Sequence, residues 1–230
     1  LGNGIDLSLF DVNRMGADVV RDTRAQLGIP CDVKVVGFVG RLAGKRKGFT
    51  DFLVACRAVA DEYPGVRFLI VGDADVGKAD AVGSAAAQDY GIAEKCIFLG
   101  SRPNTDLPAL YSVMDVLVLP SLFEGIPRVV MEAAAMGIPA VVTDVKGNRE
   151  AVEHGRNGLL VPLGDTKALA QAILRILMNS EEARRMGIGG HHLAQDRFDE
   201  RKVFARVLEQ YARLLQERNL CVPTSVVDTE

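Results

Sequence analysis

The sequence predicts an α/β fold: a Rossmann-like, doubly wound parallel sheet of about six strands. Three observations predict it. Strand-like runs alternate with helical stretches along the chain. Runs such as Val66-Arg67-Phe68-Leu69-Ile70-Val71 and Val116-Leu117-Val118-Leu119 are apolar almost throughout, the pattern of strands buried on both faces. Glycine or charged residues follow several runs at once, as in Gly40-Arg41, Gly72-Asp73 and Gly100-Ser101-Arg102.

The elements follow in order. Leu1 to Phe10 has turn residues and little periodicity and reads as a linker. Lys34 to Gly40 is the first strong strand. An amphipathic helix runs from Phe49 to Glu62 and ends before Pro64-Gly65. Val66 to Val71 is the second strand, Ala79 to Tyr90 a helix, and Ile97 to Leu99 a short third strand. A short helix over Leu107 to Tyr111 leads to the strand Val116 to Leu119. Pro127 has no N–H to leave unpaired, so it opens the next helix, which passes Ala133-Ala134-Ala135-Met136 and stops at Gly137. Strands follow at Ala140 to Thr143 and Gly158 to Val161. The rest is helical: Lys167 to Met178, Glu181 to about Gly187, and Glu200 to Gln216. This last helix carries Val203, Phe204, Val207, Leu208, Tyr211, Leu214 and Leu215 at helical spacing. Cys221 to Glu230 reads as a loose tail. The division is a linker over 1–10, one domain over 11–218 and a tail over 219–230.

Composition excludes several functions. The chain has 230 residues, 48% hydrophobic and 25% charged, the balance of a globular protein. A net charge of -3 argues against a nucleic-acid partner, which calls for a basic excess. Cys31, Cys56, Cys96 and Cys221 are scattered without a C-x-x-C pair, so they read as free thiols of a reducing cytosol. There is no signal peptide and no apolar run of membrane-spanning length. The chain opens on Leu1 rather than Met and reads as a fragment.

The most informative stretch is Phe123-Glu124-Gly125-Ile126-Pro127-Arg128-Val129-Val130-Met131-Glu132. Glu124 falls on the loop before a helix, and Glu132 lies more than a turn into it. The free N–H groups and positive dipole end of a helix start attract a phosphate. A carboxylate on each side of such an anion site fits a ligand with phosphate in the middle and hydroxyls at both ends. A nucleotide sugar has that layout. Gly40-Arg41-Leu42-Ala43-Gly44-Lys45-Arg46-Lys47-Gly48 packs four cations between glycines after the first strand. It reads as a diphosphate clamp or as a solvated basic loop, and its spacing is not that of a Walker loop. Arg102 lines a base pocket or lies on a surface loop.

Other candidates are weaker. Asp73-Ala74-Asp75 has D-x-D spacing, but nearby Lys78 and the lack of further ligands favour an acidic turn over a metal site. His154, before Gly155, helps close a helix, and His191-His192 reads as solvated. None of the histidines reads as catalytic.

Together these motifs resemble retaining glycosyltransferases of the two-domain GT-B fold. Glu124 and Glu132 match that family's E-x7-E signature within F-E-G-I-P. Gly40-Arg41-Leu42 with Lys47-Gly48, Val71-Gly72-Asp73, Phe98-Leu99-Gly100 and Asn157-Gly158-Leu159-Leu160-Val161-Pro162 follow in family order. Asn3-Gly4-Ile5-Asp6, with Phe10, looks like the linker entering the C-terminal domain. The resemblance covers roughly residues 1–218. It implies the nucleotide-sugar-binding half of an enzyme whose acceptor-binding N-terminal half, with a donor-site histidine and glycine-rich loop, is absent. It further implies that Arg41 and Lys47 hold the diphosphate and that Glu124 faces the donor sugar. Glu132 takes the ribose diol. Gly40 and the backbone of Gly125, Ile126, Pro127, Arg128 and Val129 border sugar and phosphates. The backbone from Phe98 through Ser101 and Arg102 meets the base. Arg102 departs from the family, which has an aliphatic residue there.

The implied reaction is sugar transfer from a nucleotide-diphosphate sugar, retaining and metal-independent, with no cofactor. The implied place is the cytoplasm, with the missing half as the route to any peripheral membrane contact. A fold-sharing epimerase or phosphorylase-like enzyme and a non-catalytic nucleotide-sugar-binding module are the rival readings. Sugar, base and acceptor are not legible.

Overall fold

The computed structural model describes residues 3–74, 77 and 80–218. Six strands form one parallel sheet: β1 (Lys34–Val39), β2 (Val66–Val71), β3 (Cys96–Phe98), β4 (Val116–Leu119), β5 (Ala140–Thr143) and β6 (Gly158–Val161). Their order is β3-β2-β1-β4-β5-β6. The helices are α1 (Ala17–Gln26), α2 (Phe49–Glu62), α3 (Ala86–Asp89), α4 (Leu107–Ser112), α5 (Arg128–Ala135), α6 (Lys146–Ala151), α7 (Thr166–Met178), α8 (Ser180–Leu193) and α9 (Glu200–Glu217).

The two-residue period of each strand splits the core into two layers. Val36, Phe38, Phe68 and Ile70 meet Phe49 and Phe52 of α2 and Ile173 of α7. Val35, Val39, Leu69, Val71 and Leu117 meet Tyr111 of α4 and Met131 of α5. Both faces are covered, which is why the strands read as apolar throughout. Gly37 keeps the second layer tight, because a Cβ there would collide with the Met114 thioether.

The order of the strands fixes where a ligand fits. Chain connections leave β1 in one direction toward β2 and β3, and in the other toward β4, β5 and β6. The carboxyl ends of β1 and β4 therefore flank the switch point, where open α/β sheets place their crevice. Val36 of β1 stands beside Val116 of β4 in register.

Several expectations need correction. The helix from Ala79 to Tyr90 is reduced to the single turn Ala86–Asp89, and Ala79 lies outside the described residues. Gly83-Ser84 interrupts it, and the preceding segment pairs with the loop after β1: Ala81 bridges Ala43, and the Val82 N–H donates to the Leu42 carbonyl. The helix expected to end near Gly187 runs to Leu193 and continues as a π-helical turn over Ala194–Phe198. Gly187 and Gly189 are contact points rather than stops, since a Cβ would strike the carbonyls of Gly137 and Arg156. The third strand begins one residue earlier, at Cys96. The helices α1 and α6 had no counterpart in the sequence reading.

Residues 3–10 do not hang free. Ile5 and Phe10 are buried, the Ile5 N–H donates to the Phe198 carbonyl, and the Glu200 N–H donates to the Ile5 carbonyl. Burial pushes the thiol of Cys96 up to about 12 and that of fully buried Cys56 well up, so both stay protonated. The tail from residue 219 and Cys221 lie outside the described residues. Among the described residues no helix is long and apolar enough to cross a membrane.

Candidate functional site

The basic loop after β1 is held at both ends. Gly40 donates its N–H to the Val71 carbonyl of β2, and Leu42 donates to the Asp73 carbonyl. At the other end Gly48 caps α2 with φ +67, directly under the Pro120 carbonyl that ends β4. Only a residue without Cβ fits there in a left-handed conformation. The Leu122 N–H donates to the Arg46 carbonyl, closing a second seam between the loops.

That stitching brings two predicted site residues together. Lys47 Nζ lies 2.7 Å from Glu124 Oε1, with the two side chains 25% and 10% exposed. The Arg41 side chain is exposed on the same loop. Leu122 and Phe123, beside Glu124, are exposed apolar residues at the mouth of the crevice.

Pro127, expected as the first helical residue, stands instead at the N-cap of α5 with φ -73, so the helix begins one residue later, at Arg128. No side chain caps this helix. The N–H groups of Arg128 and Val129 meet no acceptor among the described residues, so the helix start offers free donors and a positive dipole end. Gly125 is exposed and Ile126 partly covered ahead of it.

Glu132 lies one turn further along and is 3% exposed. Its Oε2 accepts from the hydroxyl of buried Tyr111 at 3.0 Å, and its Oε1 lies 3.7 Å from Arg128 Nε. Burial raises its carboxyl above the ordinary value, opposed by the Tyr111 hydrogen bond and by Arg128. Arg128, itself half exposed, lies over this carboxylate.

Behind the acidic loop is a polar bed that the sequence did not reveal. Buried Asn148 of α6 donates to the Thr143 carbonyl at 2.8 Å, and the Thr143 hydroxyl donates to the Ser121 carbonyl at 2.5 Å. A Cβ on Gly147 would strike the Gly125 and Glu124 carbonyls, so α6 backs directly on that peptide. Ser121 Oγ and Asn148 Oδ1 are buried and meet no hydrogen-bond partner among the described residues. Tyr111, Thr143, Gly147 and Asn148 escaped the sequence reading because the first two sit in or beside apolar runs and the other two in a short polar helix.

The remaining predicted residues lie along the β2 and β3 ends. Gly72 and Gly100 form a bridge, and the Ser101 N–H donates to Asp73 Oδ2 at 2.9 Å. The Ser101 side chain, and after it this N–H, hold the Asp73 carboxyl below its ordinary value and engage it in a turn. Asp75 of the D-x-D lies outside the described residues. Among the described residues no three His, Cys, Asp or Glu side chains converge as a metal site. Exposed Arg102 lines a groove of about 350 Å³ between α1 and α4, with Gln26, Leu99 and Asp106. His154 Nδ1 accepts from the Leu160 N–H, tying the loop after α6 to β6 rather than closing a helix. His191 is partly buried and bonds the Ala135 carbonyl at the end of α5, whereas His192 is exposed.

A parallel sheet in this order, with acid and base paired at its switch point beside an uncapped helix start, defines a Rossmann-like unit of the GT-B architecture. The chain belongs to the glycosyl transferases group 1 family, whose model matches residues 33–179. It is 35% identical to a D-inositol 3-phosphate glycosyltransferase of Corynebacterium urealyticum, over 78% of this chain and 42% of that protein. It is 32% identical to a 2-deoxystreptamine N-acetyl-D-glucosaminyltransferase of Streptomyces fradiae, over 77% of this chain and 42% of that one. The crystal structure of Anabaena Alr3699/HepE in complex with UDP-glucose superposes with a TM-score of 0.82 at 28% identity, over 91% of this chain and 56% of that one. The chain thus spans about half the length of the relatives it matches.

Proposed function

We propose that this chain is the donor-binding half of a retaining, metal-independent glycosyltransferase that uses a nucleotide-diphosphate sugar. The observation that carries the reading is the Lys47–Glu124 ion pair at the switch point, beside the start of α5. Its other support is the UDP-glucose bound by a protein of the same fold.

Each group has a chemical task in this reading. Cleavage of the bond between the sugar and the diphosphate leaves negative charge on the leaving oxygen and positive charge on the sugar ring. Lys47, Arg41 and the free N–H groups of Arg128 and Val129 receive the anion. One unit charge about 4 Å away is worth roughly 4 kcal/mol at an effective dielectric of about 20. Donor binding moves Lys47 from Glu124 onto phosphate, and Glu124 then takes sugar hydroxyls. Arg128 swings off Glu132, which accepts from the ribose diol. Gly125 to Val129 border sugar and phosphates, and the Ser101–Arg102 backbone meets the base. Residues 3–10 form the entry from a second domain, which supplies the acceptor site.

Calorimetric titration of the chain with UDP, GDP and ADP tests the donor assignment. Heat with one of them is expected, and silence with all three removes the reading. In the two-domain enzyme, Lys47→Ala is expected to lower kcat by about 10²–10³. Activity is expected to survive EDTA, and proton NMR of the product reports whether the anomeric configuration is kept.

A further inference from the structure

Tyr111 is the one fully buried side chain of α4 that reaches a site residue with a polar atom. Its ring is locked, with Phe10 packed edge-on at 6.1 Å between centroids. Its hydroxyl lies 3.0 Å from Glu132 Oε2 and 3.3 Å from the Val129 carbonyl. A single hydroxyl proton serves one acceptor well, and an ionised carboxylate is the stronger one. We propose that Tyr111 is a positioning residue for nucleotide binding: its hydroxyl fixes the plane of the Glu132 carboxylate so that the other oxygen edge meets the two vicinal ribose hydroxyls.

The geometry gives the hydroxyl a purpose that packing alone does not. A glutamate has three rotatable side-chain bonds, and a diol is held by two hydrogen bonds only when the carboxylate plane is set. Arg128 is half exposed and stands 3.7 Å away, too loosely placed to set that plane. Fully buried Tyr111 engages Oε2 from the protein interior, and the other oxygen, Oε1, faces half-exposed Arg128, the side from which a ligand would take it. The Val129 carbonyl gives the same hydroxyl a contact with the first turn of α5. One buried group therefore registers the ribose acceptor against the diphosphate end of the site.

The inference rests on the reading of Glu132 as the ribose acceptor, and the experiment separates the two. Whichever of UDP, GDP and ADP binds best is titrated beside its 2′,3′-dideoxy form, which lacks the diol. Wild-type protein, Tyr111→Phe and Glu132→Gln are compared, with Tm recorded for each. Tyr111→Phe keeps the ring and its contact with Phe10 and removes one oxygen. The expected result is that Tyr111→Phe weakens the natural nucleotide about tenfold and leaves the dideoxy form unchanged. Glu132→Gln is expected to narrow the same gap. Equal weakening of both ligands by Tyr111→Phe, or of neither, overturns the positioning role while leaving the Glu132 reading in place. A wild-type gap in Glu132→Gln overturns the Glu132 reading and the inference with it.

Discussion

At the scale of single residues, Glu132 sets a conflict between stability and binding. Its buried carboxyl titrates above the ordinary value of 4.5. Between 4.5 and that raised value the folded chain holds more protons than the unfolded one. Stability is thus fully present below this window and falls as pH rises through it. Above this window the charged, desolvated carboxylate destabilises the fold. Glu132→Gln should therefore raise Tm above this window and flatten its decline above pH 4.5, a change of about 2–4 °C for each kcal/mol recovered. Thermal melts of both proteins from pH 4 to 8 check the sign, and the same substitution should weaken nucleotide binding. Glu124 and Lys47 were legible as separate candidates, because a proline at a helix start and a glycine-flanked basic loop leave local marks, but their ion pair was not. Tyr111 left none, since a tyrosine within an apolar run reads as core, which it also is.

At the scale of elements, the site depends on glycines that allow backbones to touch. Gly48 at φ +67 lies under the Pro120 carbonyl, and Gly147 lies against the Glu124–Gly125 peptide. Alanine at Gly48 must adopt a left-handed conformation, at a cost of roughly 1–2 kcal/mol, and must also push β4 away. Gly147→Ala is the sharper case. A helix gains from alanine over glycine by roughly 1 kcal/mol when nothing is in the way. Here the new methyl should drive the acidic loop outward, so nucleotide affinity should fall by more than about tenfold while the gain in helix propensity offsets part of the destabilisation. Calorimetry and thermal melts on the same sample separate the two effects. Thr143 provides a control: Thr143→Ser keeps the hydroxyl bonded to the Ser121 carbonyl, and Thr143→Val removes it. Valine alone should loosen the loop and lower affinity. The sequence marked strands and long helices well because burial on one or both faces writes a period into them. It missed α1, in which Thr23 alone is buried, and α6, where the buried residues are Gly147, Asn148 and Ala151. It overextended the helix before β3 because it could not see that Val82 would find a partner in Leu42.

At the scale of the whole molecule, the first described residues and the start of α9 are part of one body with the site. Ile5 pairs with Asp199 across a β-bridge, its backbone bonds Phe198 and Glu200, and the start of α9 follows directly. Phe10 enters the same core layer and packs on Tyr111, which in turn holds Glu132. A segment that reads as a linker is thus a structural strap with a line of contact to the proposed nucleotide site. Phe10→Ala removes a buried aromatic side chain, a change that typically costs about 3–5 kcal/mol. At this chain length the Tm should fall by roughly 10 °C. If the strap serves only the fold, nucleotide affinity measured well below the new Tm should match the wild type. If the contact on Tyr111 carries through to Glu132, the loss should appear for the diol-bearing nucleotide and be absent for its dideoxy form. Combining Phe10→Ala with Tyr111→Phe settles the route: the two effects on diol recognition should then be less than additive, because both act through one hydroxyl.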